Sequence, residues 1–464
     1  MNIRVFFILL LLCFLCYGAG VNNQFMIDDF GFFAIDHNND FPEFRDYFTK
    51  THSQHYSPVY YIFNSWIFRV FQHQPLPLHV ISIFLHALVC FLLYHSIKTL
   101  LSRQDVALLT GVLFAVHPVN SFVLNYITAN FVFLYAIFLL LSLLMYWRSL
   151  EFPKHALGWK AGALASFALG LLSFEGAVLY PIYLGICLLF IRKYPIKKVL
   201  VQILPYMAFS ALYLFLWKLI ASANAPIVQK IVSSEVSLGS YVASLNHLVG
   251  WYVGNLLWPK SVVYIYNILP LQGADITRNV IIFFFSLTGV LWLAIIFRRS
   301  PAVFGLAWFL TGFILLCPAV FAHFNAMGFV IEPHWFYFSS MGFMFLVSYL
   351  LVQLKARVNP RLWWITILAL ICYLVIFIPL YLLVGKTEQR YCEYWLKESP
   401  GNSIARKTLG YIYSEHPETM VKFELVEEMI PVVGYYLSIN ETARASRLLE
   451  KINQAVIRQR NEGL

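Results

Sequence analysis

Long apolar stretches, each interrupted by a short charged or aromatic interval, run from residue 5 to residue 384. A helix needs about 20 apolar residues to cross the hydrocarbon core of a bilayer. Eleven stretches approach that length: 5–20, 77–97, 105–117, 121–146, 160–174, 176–191, 198–218, 279–297, 301–320, 335–354 and 362–384. Past residue 385 the pattern changes. SIARKTLGYIYSEHP and ETARASRLLEKINQAVIRQR place apolar residues at helical spacing among charges, with Gly434 and Ser438-Ile439-Asn440 as breaks. The expected fold is all-α. A polytopic bundle of about 11 transmembrane helices fills residues 1–385, with helices in the external loops, and a short helical tail occupies 386–464.

Composition agrees with a membrane bundle. The 464 residues are 60% hydrophobic, 18% aromatic and 12% charged, with mean hydropathy +0.69, against about 25% charged in a soluble domain. The net charge of +10 reports orientation, because Lys and Arg gather on the cytoplasmic side. No basic stripe of the kind nucleic acid needs is present, which excludes that partner. Six of the seven cysteines (Cys13, Cys16, Cys90, Cys187, Cys317 and Cys372) fall in apolar segments, leaving Cys392 outside them. That scatter argues against a disulfide framework and against a thiolate metal site. Residues 1–20 read as a signal peptide or a retained anchor; the topology requires the anchor.

Loop charges set the sidedness. Arg4, Lys98, Arg103, Arg148, Lys154, Lys160, Arg192, Lys193, Lys197, Lys198, Arg298, Arg299, Lys355, Arg357 and Arg361 fall on one side. The other side, up to residue 385, holds only Arg45, Lys50, Arg69, Lys218, Lys230, Lys260 and Arg278. The first side is therefore cytoplasmic, and the C-terminus is external. Between the basic runs 192–198 and 298–299 an even number of crossings is required. The piece 241–258 must then dip in and return or lie in the interface, where its Trp and Tyr suit it.

This orientation divides the acids unevenly. Of twelve Asp and Glu before residue 385, only Asp105 and Glu151 fall inside. Six lie in the first external loop, 21–76: Asp28, Asp29, Asp36, Asp40, Glu43 and Asp46. Glu175 sits at another outer turn, Glu332 and His334 at the outer end of a span, and His117 at the end of a further one. Taken singly, an acid pair after a span is a loop anchor or cap, and a His before Pro a core residue. Together they put carboxylate or imidazole from four segments at one membrane depth, the pattern of a site at a bundle mouth. Such a mouth suits transfer from a lipid-linked phosphate donor. A carboxylate takes the proton of an acceptor hydroxyl, and cations or imidazoles balance the phosphate leaving group. A divalent metal on Asp28 or Asp29 is compatible with this chemistry, but nothing in the spacing requires one.

The stretches FMIDDF, HYSPVYYIFNSWIFRVF, PLHVISIFLHALVCFLLYHSIKTLL, LFAVHPVN, LLSFEG and EPHWFYFSSMGF, in this order, resemble the membrane part of GT-C glycosyltransferases. The likeness is greatest to the TMTC-type protein O-mannosyltransferases and their bacterial relatives, which carry tetratricopeptide repeats after the membrane part. It covers residues 1–385 and, weakly, the tail, which is too short for a full solenoid of such repeats. The resemblance implies an external active site and a polyprenyl-phosphate sugar donor, with Asp28 or Asp29 as base. His117 falls in the family's HPV turn, and Glu332, His334, Trp335 and Tyr337 in its E-x-HW-x-Y element. Tyr56-Ser57-Pro58 and Ser173-Phe174-Glu175 stand where the family often has Tyr-Arg-Pro and Ser-Lys-Glu, so two cations are missing. His55, Lys260 or Arg278 would have to replace them.

The function expected is therefore a membrane glycosyltransferase acting on a protein, glycan or lipid acceptor outside the cytoplasm, with bilayer lipid as its surroundings. A bacterial inner membrane is the expected location ahead of the endoplasmic reticulum. The rivals are a transporter or flippase, which would bury charge at mid-membrane, and a non-catalytic scaffold with a degenerate site.

Overall fold

The computed structural model describes residues 3–26, 29, 43–51, 55–71, 74–224, 238–259, 266–268, 274–296, 300–322 and 329–398, with scattered positions from 405 to 453. It divides into two units, Met1–Leu383 and Val384–Leu464.

The first unit is a helical bundle. In chain order its elements are α1 (Ile3–Tyr17), α2 (Asp46–Thr49), α3 (Pro58–Phe71), α4 (Pro75–Leu101), α5 (Gln104–Val116), α6 (Ser121–Asn125), α7 (Phe131–Glu151), α8 (Ala156–Leu171), α9 (Tyr180–Ile186), α10 (Ile196–Asn224), α11 (Leu238–Leu257), α12 (Ala274–Ile296), α13 (Pro301–Ala322), α14 (Tyr337–Lys355), α15 (Pro360–Val375) and α16 (Ile378–Val384). Two short strands, β1 (Tyr266–Ile268) and β2 (Phe329–Ile331), pair antiparallel with Asn267 opposite Val330.

Helices occupy all of the predicted stretches, yet eleven crossings do not follow from their lengths. Among the described residues six helices are long and apolar enough to span a bilayer: Ile3–Gly20, Pro75–Leu101, Ile127–Glu151, Ile196–Ala221, Pro333–Lys355 and Pro360–Val384. A seventh arises if Gln104–Val116 and Pro118–Asn125, bent by 52°, count as one broken span. Glu175–Ile191 and Pro301–Ile314 are apolar but shorter. The break has a local cause: Pro118 disfavours helical backbone at His117, which is extended (φ −74°, ψ 123°). The sequence had placed two separate crossings at 105–117 and 121–146. Instead a bend and the turn Ile127–Asn130 separate α5 from the long helix α7.

Burial follows sequence period. On α1, Val5, Leu9, Cys13 and Tyr17 recur every fourth residue and face protein, while Phe7, Leu11 and Leu15 are exposed. Val201, Leu204 and Phe215 of α10 are likewise exposed, as lipid-facing side chains are. Pro75 and Pro77 start α4, where a missing N–H costs nothing. Asn359 caps α15 by accepting the Arg361 N–H at 2.8 Å. Small residues let α13 and α14 approach closely: a Cβ at Gly342 would lie 2.7 Å from the Phe309 nitrogen and 2.8 Å from the Gly305 oxygen.

The second unit contributes α17 (Glu388–Glu398), which buries Tyr391, Cys392, Trp395 and Leu396 on one face. Most of the expected tetratricopeptide-like tail falls outside the described residues.

Candidate functional site

The turn between α6 and α7, Tyr126 to Phe131, gathers the acids and imidazoles. Thr128 donates its backbone N–H to Asp29 Oδ1 at 2.8 Å, and Met26 donates to Oδ2 at 3.1 Å. Tyr60 of α3 donates its hydroxyl to the Thr128 carbonyl at 2.6 Å, and its ring meets Phe131 edge-on. His334 packs edge-on against Phe131, with ring centroids 5.3 Å apart, and also contacts Tyr126. Phe174, the neighbour of Glu175, lies against Phe131 at 4.6 Å. Four distant chain segments therefore meet on six residues.

The helices explain why they meet there. The turn packs at the end of the bundle where α4 and α14 begin, α7 begins and α8 finishes. The basic residues Lys98, Arg148 and Lys355 lie at the opposite ends of α4, α7 and α14. A polar ring fastens the near end. Asn23 donates to Asn125 Oδ1 and to the Leu382 carbonyl, and Asn125 donates to the Tyr381 carbonyl. His79 of α4 lies between the Leu124 and Asn23 carbonyls, at 3.0 and 3.1 Å. Ser82 donates to Asn130 Oδ1.

Asp29 is completely buried. Ile127 beside it belongs to an apolar cluster with Phe25, Ile67, Phe68 and Leu78. Loss of water pushes the Asp29 carboxyl up to about 7 and outweighs the amide N–H bonds, which favour its ionised form. With both oxygens turned to backbone amides, the side chain is set as a lock on two loops. This is not the open donor set a hard cation takes.

Glu175 and His55 form a pair with 2.7 Å between Oε1 and Nδ1. The His55 side chain is 47% exposed and that of Glu175 is 18% exposed. Glu175 Oε2 is buried and has no hydrogen-bond partner among the described residues. A second pair joins Glu332 Oε2 to His334 Nε2 at 2.9 Å, and Tyr252 of α11 donates to the Glu332 carbonyl. Each pair sets an imidazole beside a carboxylate, the arrangement that moves protons or, once protonated, faces an anion.

Four predicted residues are engaged elsewhere. His117 accepts the Val119 N–H on Nδ1, so its Nε2 carries the proton donated to the Leu256 carbonyl at 3.0 Å. Its own carbonyl accepts the Tyr17 hydroxyl, so this histidine ties α1, α5 and α11 together. Tyr337 is buried in the bundle and bonds His86 Nδ1 through its hydroxyl at 2.7 Å. Arg278, exposed, pairs with Asp275 on α12. Tyr56 is buried and accepts the Tyr213 hydroxyl on its carbonyl. Asp28 and Lys260 fall outside the described residues.

Sequence reasoning missed the Tyr126–Phe131 turn, whose contacts run through backbone groups and ring faces. It also missed His79. Here a signal existed, because His79, Ser82, His86 and Cys90 lie on one face of α4 at i, i+3, i+7 and i+11.

No family model matches the sequence, and no curated protein does either. Among solved structures, the Archaeoglobus fulgidus oligosaccharyltransferase in its apo form is similar with a TM-score of 0.44 and 14% identity, over 92% of this chain and 59% of that one. The same enzyme in complex with zinc and sulfate gives 0.43 and 13%, over 87% and 56%. This chain thus spans less than two thirds of that protein's length. A likeness so distant assigns no activity here.

Proposed function

We propose that the protein is a membrane glycosyltransferase, moving a sugar from a polyprenyl-phosphate donor to an acceptor at the external face. The observation that carries this reading is the convergence of Asp29, the Phe174-Glu175 segment and the Glu332–His334 pair on Tyr126–Phe131. It lies at the bundle end poor in Lys and Arg, which supports an external vestibule. Within it Asp29 is a positioning residue that fastens the first external loop to the turn. The base is Asp28, next to it in sequence: it takes the acceptor hydroxyl proton while the oxygen attacks the sugar carbon. As the bond to the donor phosphate breaks, the imidazoles of His55 and His334 face the leaving phosphate where the family-like pattern lacks Arg and Lys. The polyprenyl chain stays in the bilayer beside exposed apolar helices.

A non-catalytic reading draws on one observation, the double occupation of Asp29 by amides, which would suit a purely structural loop. Donor turnover by purified protein separates the two. Transfer is expected in the parent and lost in Asp28→Asn. If the parent transfers nothing, or Asp28→Asn and Asp29→Asn both match it, the assignment to this acid pair is wrong.

A further inference from the structure

A second cluster lies inside the bundle, away from the turn. Cys13 of α1 and His86 and Cys90 of α4 are each completely buried, and their Sγ and Nε2 atoms all lie within 4.8 Å of one another. His86 Nε2 stands 3.7 Å from Cys90 Sγ. The scatter of cysteines along the sequence had argued against a thiolate metal site. In the fold, however, the four-residue stripe of α1 turns Cys13 onto the His86–Cys90 face of α4.

We propose that Cys13, His86 and Cys90 form a zinc site that clamps α1 to α4. Three observations carry it. First, the separation fits: zinc–sulfur at about 2.3 Å and zinc–nitrogen at 2.0–2.1 Å in a tetrahedron put sulfur and nitrogen about 3.6 Å apart. Second, charge fits: two thiolates, a neutral imidazole and Zn2+ sum to zero, as an apolar interior requires. A monovalent ion on two thiolates would leave a buried negative charge. Third, the imidazole is held in place. The Tyr337 hydroxyl lies 2.7 Å from His86 Nδ1 and can accept its proton, while Nε2, 3.7 Å from Cys90 Sγ, also lies 3.4 Å from the Ala115 carbonyl, a long contact that a zinc bond would replace. Binding releases the two thiol protons, and the fourth tetrahedral position takes a small exogenous ligand.

The site is independent of the transfer chemistry, so its test needs no sugar donor. Full-length protein is purified in detergent without added metal, assayed for bound zinc, then exchanged into Co2+. The expected result is about one zinc per chain and thiolate-to-cobalt charge-transfer absorption in the near ultraviolet. Cys13→Ser should lose both, whereas Cys16→Ser, one turn away and outside the cluster, should keep both. A chelator should lower the melting temperature of the parent and leave that of Cys13→Ser unmoved, which separates metal loss from misfolding. Absence of zinc together with a featureless cobalt spectrum in the parent overturns the proposal. So does a Cys13–Cys90 disulfide found by mass spectrometry.

Discussion

Thr128 and Asp29, 99 positions apart, are joined by an N–H···Oδ1 bond of 2.8 Å, with Asp29 completely buried. Everything at the mouth of the bundle is registered to that bond, because the same six-residue turn carries the rings against which His334 and Phe174 rest. It has an energetic signature. Burial raises the folded-state pKa of Asp29 from 3.8 to about 7, so between those values the folded state binds a proton that the unfolded state has released. Stability should therefore fall as pH rises from about 4 to about 7. Melting temperature against pH checks this, and the slope attributable to this group should disappear in Asp29→Asn.

Glu175→Gln keeps an acceptor for His55 but removes the charge. The pair is open to solvent on its His55 side and Gln fills the same space as Glu, so the loss of stability should stay within about 1 kcal/mol. Donor turnover should fall about 100-fold, the scale of a lost acid–base partner. Steady-state kinetics beside a thermal melt distinguishes these outcomes.

His117→Ala should behave in the opposite way. It removes the bonds to the Leu256 carbonyl and the Val119 amide and leaves a cavity, costing about 2–3 kcal/mol. The surviving folded fraction should still bind donor, since neither imidazole nitrogen is available to a ligand. Denaturant titration and donor-binding measurements on the same sample provide the check.

Gly342→Ala forces a methyl into the contact with Gly305 and the Phe309 backbone. Backbone on both sides cannot turn aside, so destabilisation of about 1–3 kcal/mol or more is expected. A matching loss is expected from Gly305→Ala, read by thermal melts.

Much of the helical order was legible because apolar runs and their interruptions are local. The extents of α4 and α10 follow from composition, whereas the stretch 362–384 is split into α15 and α16; Pro118 announces the bend at His117. That Asp29, the Glu175 segment and the Glu332–His334 pair gather at one end of the bundle was legible too, since they sit at the ends of apolar stretches. What could not be read was who faces whom. His117 looks the same in sequence whether it meets a phosphate or the Leu256 carbonyl, and Tyr337 whether it lines a vestibule or holds His86. Ile127–Asn130 disappears into an apolar run because its work is done by a backbone N–H. Cys13 and Cys90 are 77 positions apart, and only helix packing makes them neighbours.

The claim that the Tyr126–Phe131 turn floors the donor site is tested most directly by photo-crosslinking. A polyprenyl-phosphate sugar analogue with a photoreactive group on the sugar is bound to the protein in liposomes, irradiated, and the labelled peptides are sequenced. Label on 126–131, 174–175 and 332–334, displaced by excess unmodified donor, is the predicted result. Label confined to lipid-facing positions of α10 or α15, unaffected by competitor, would contradict it.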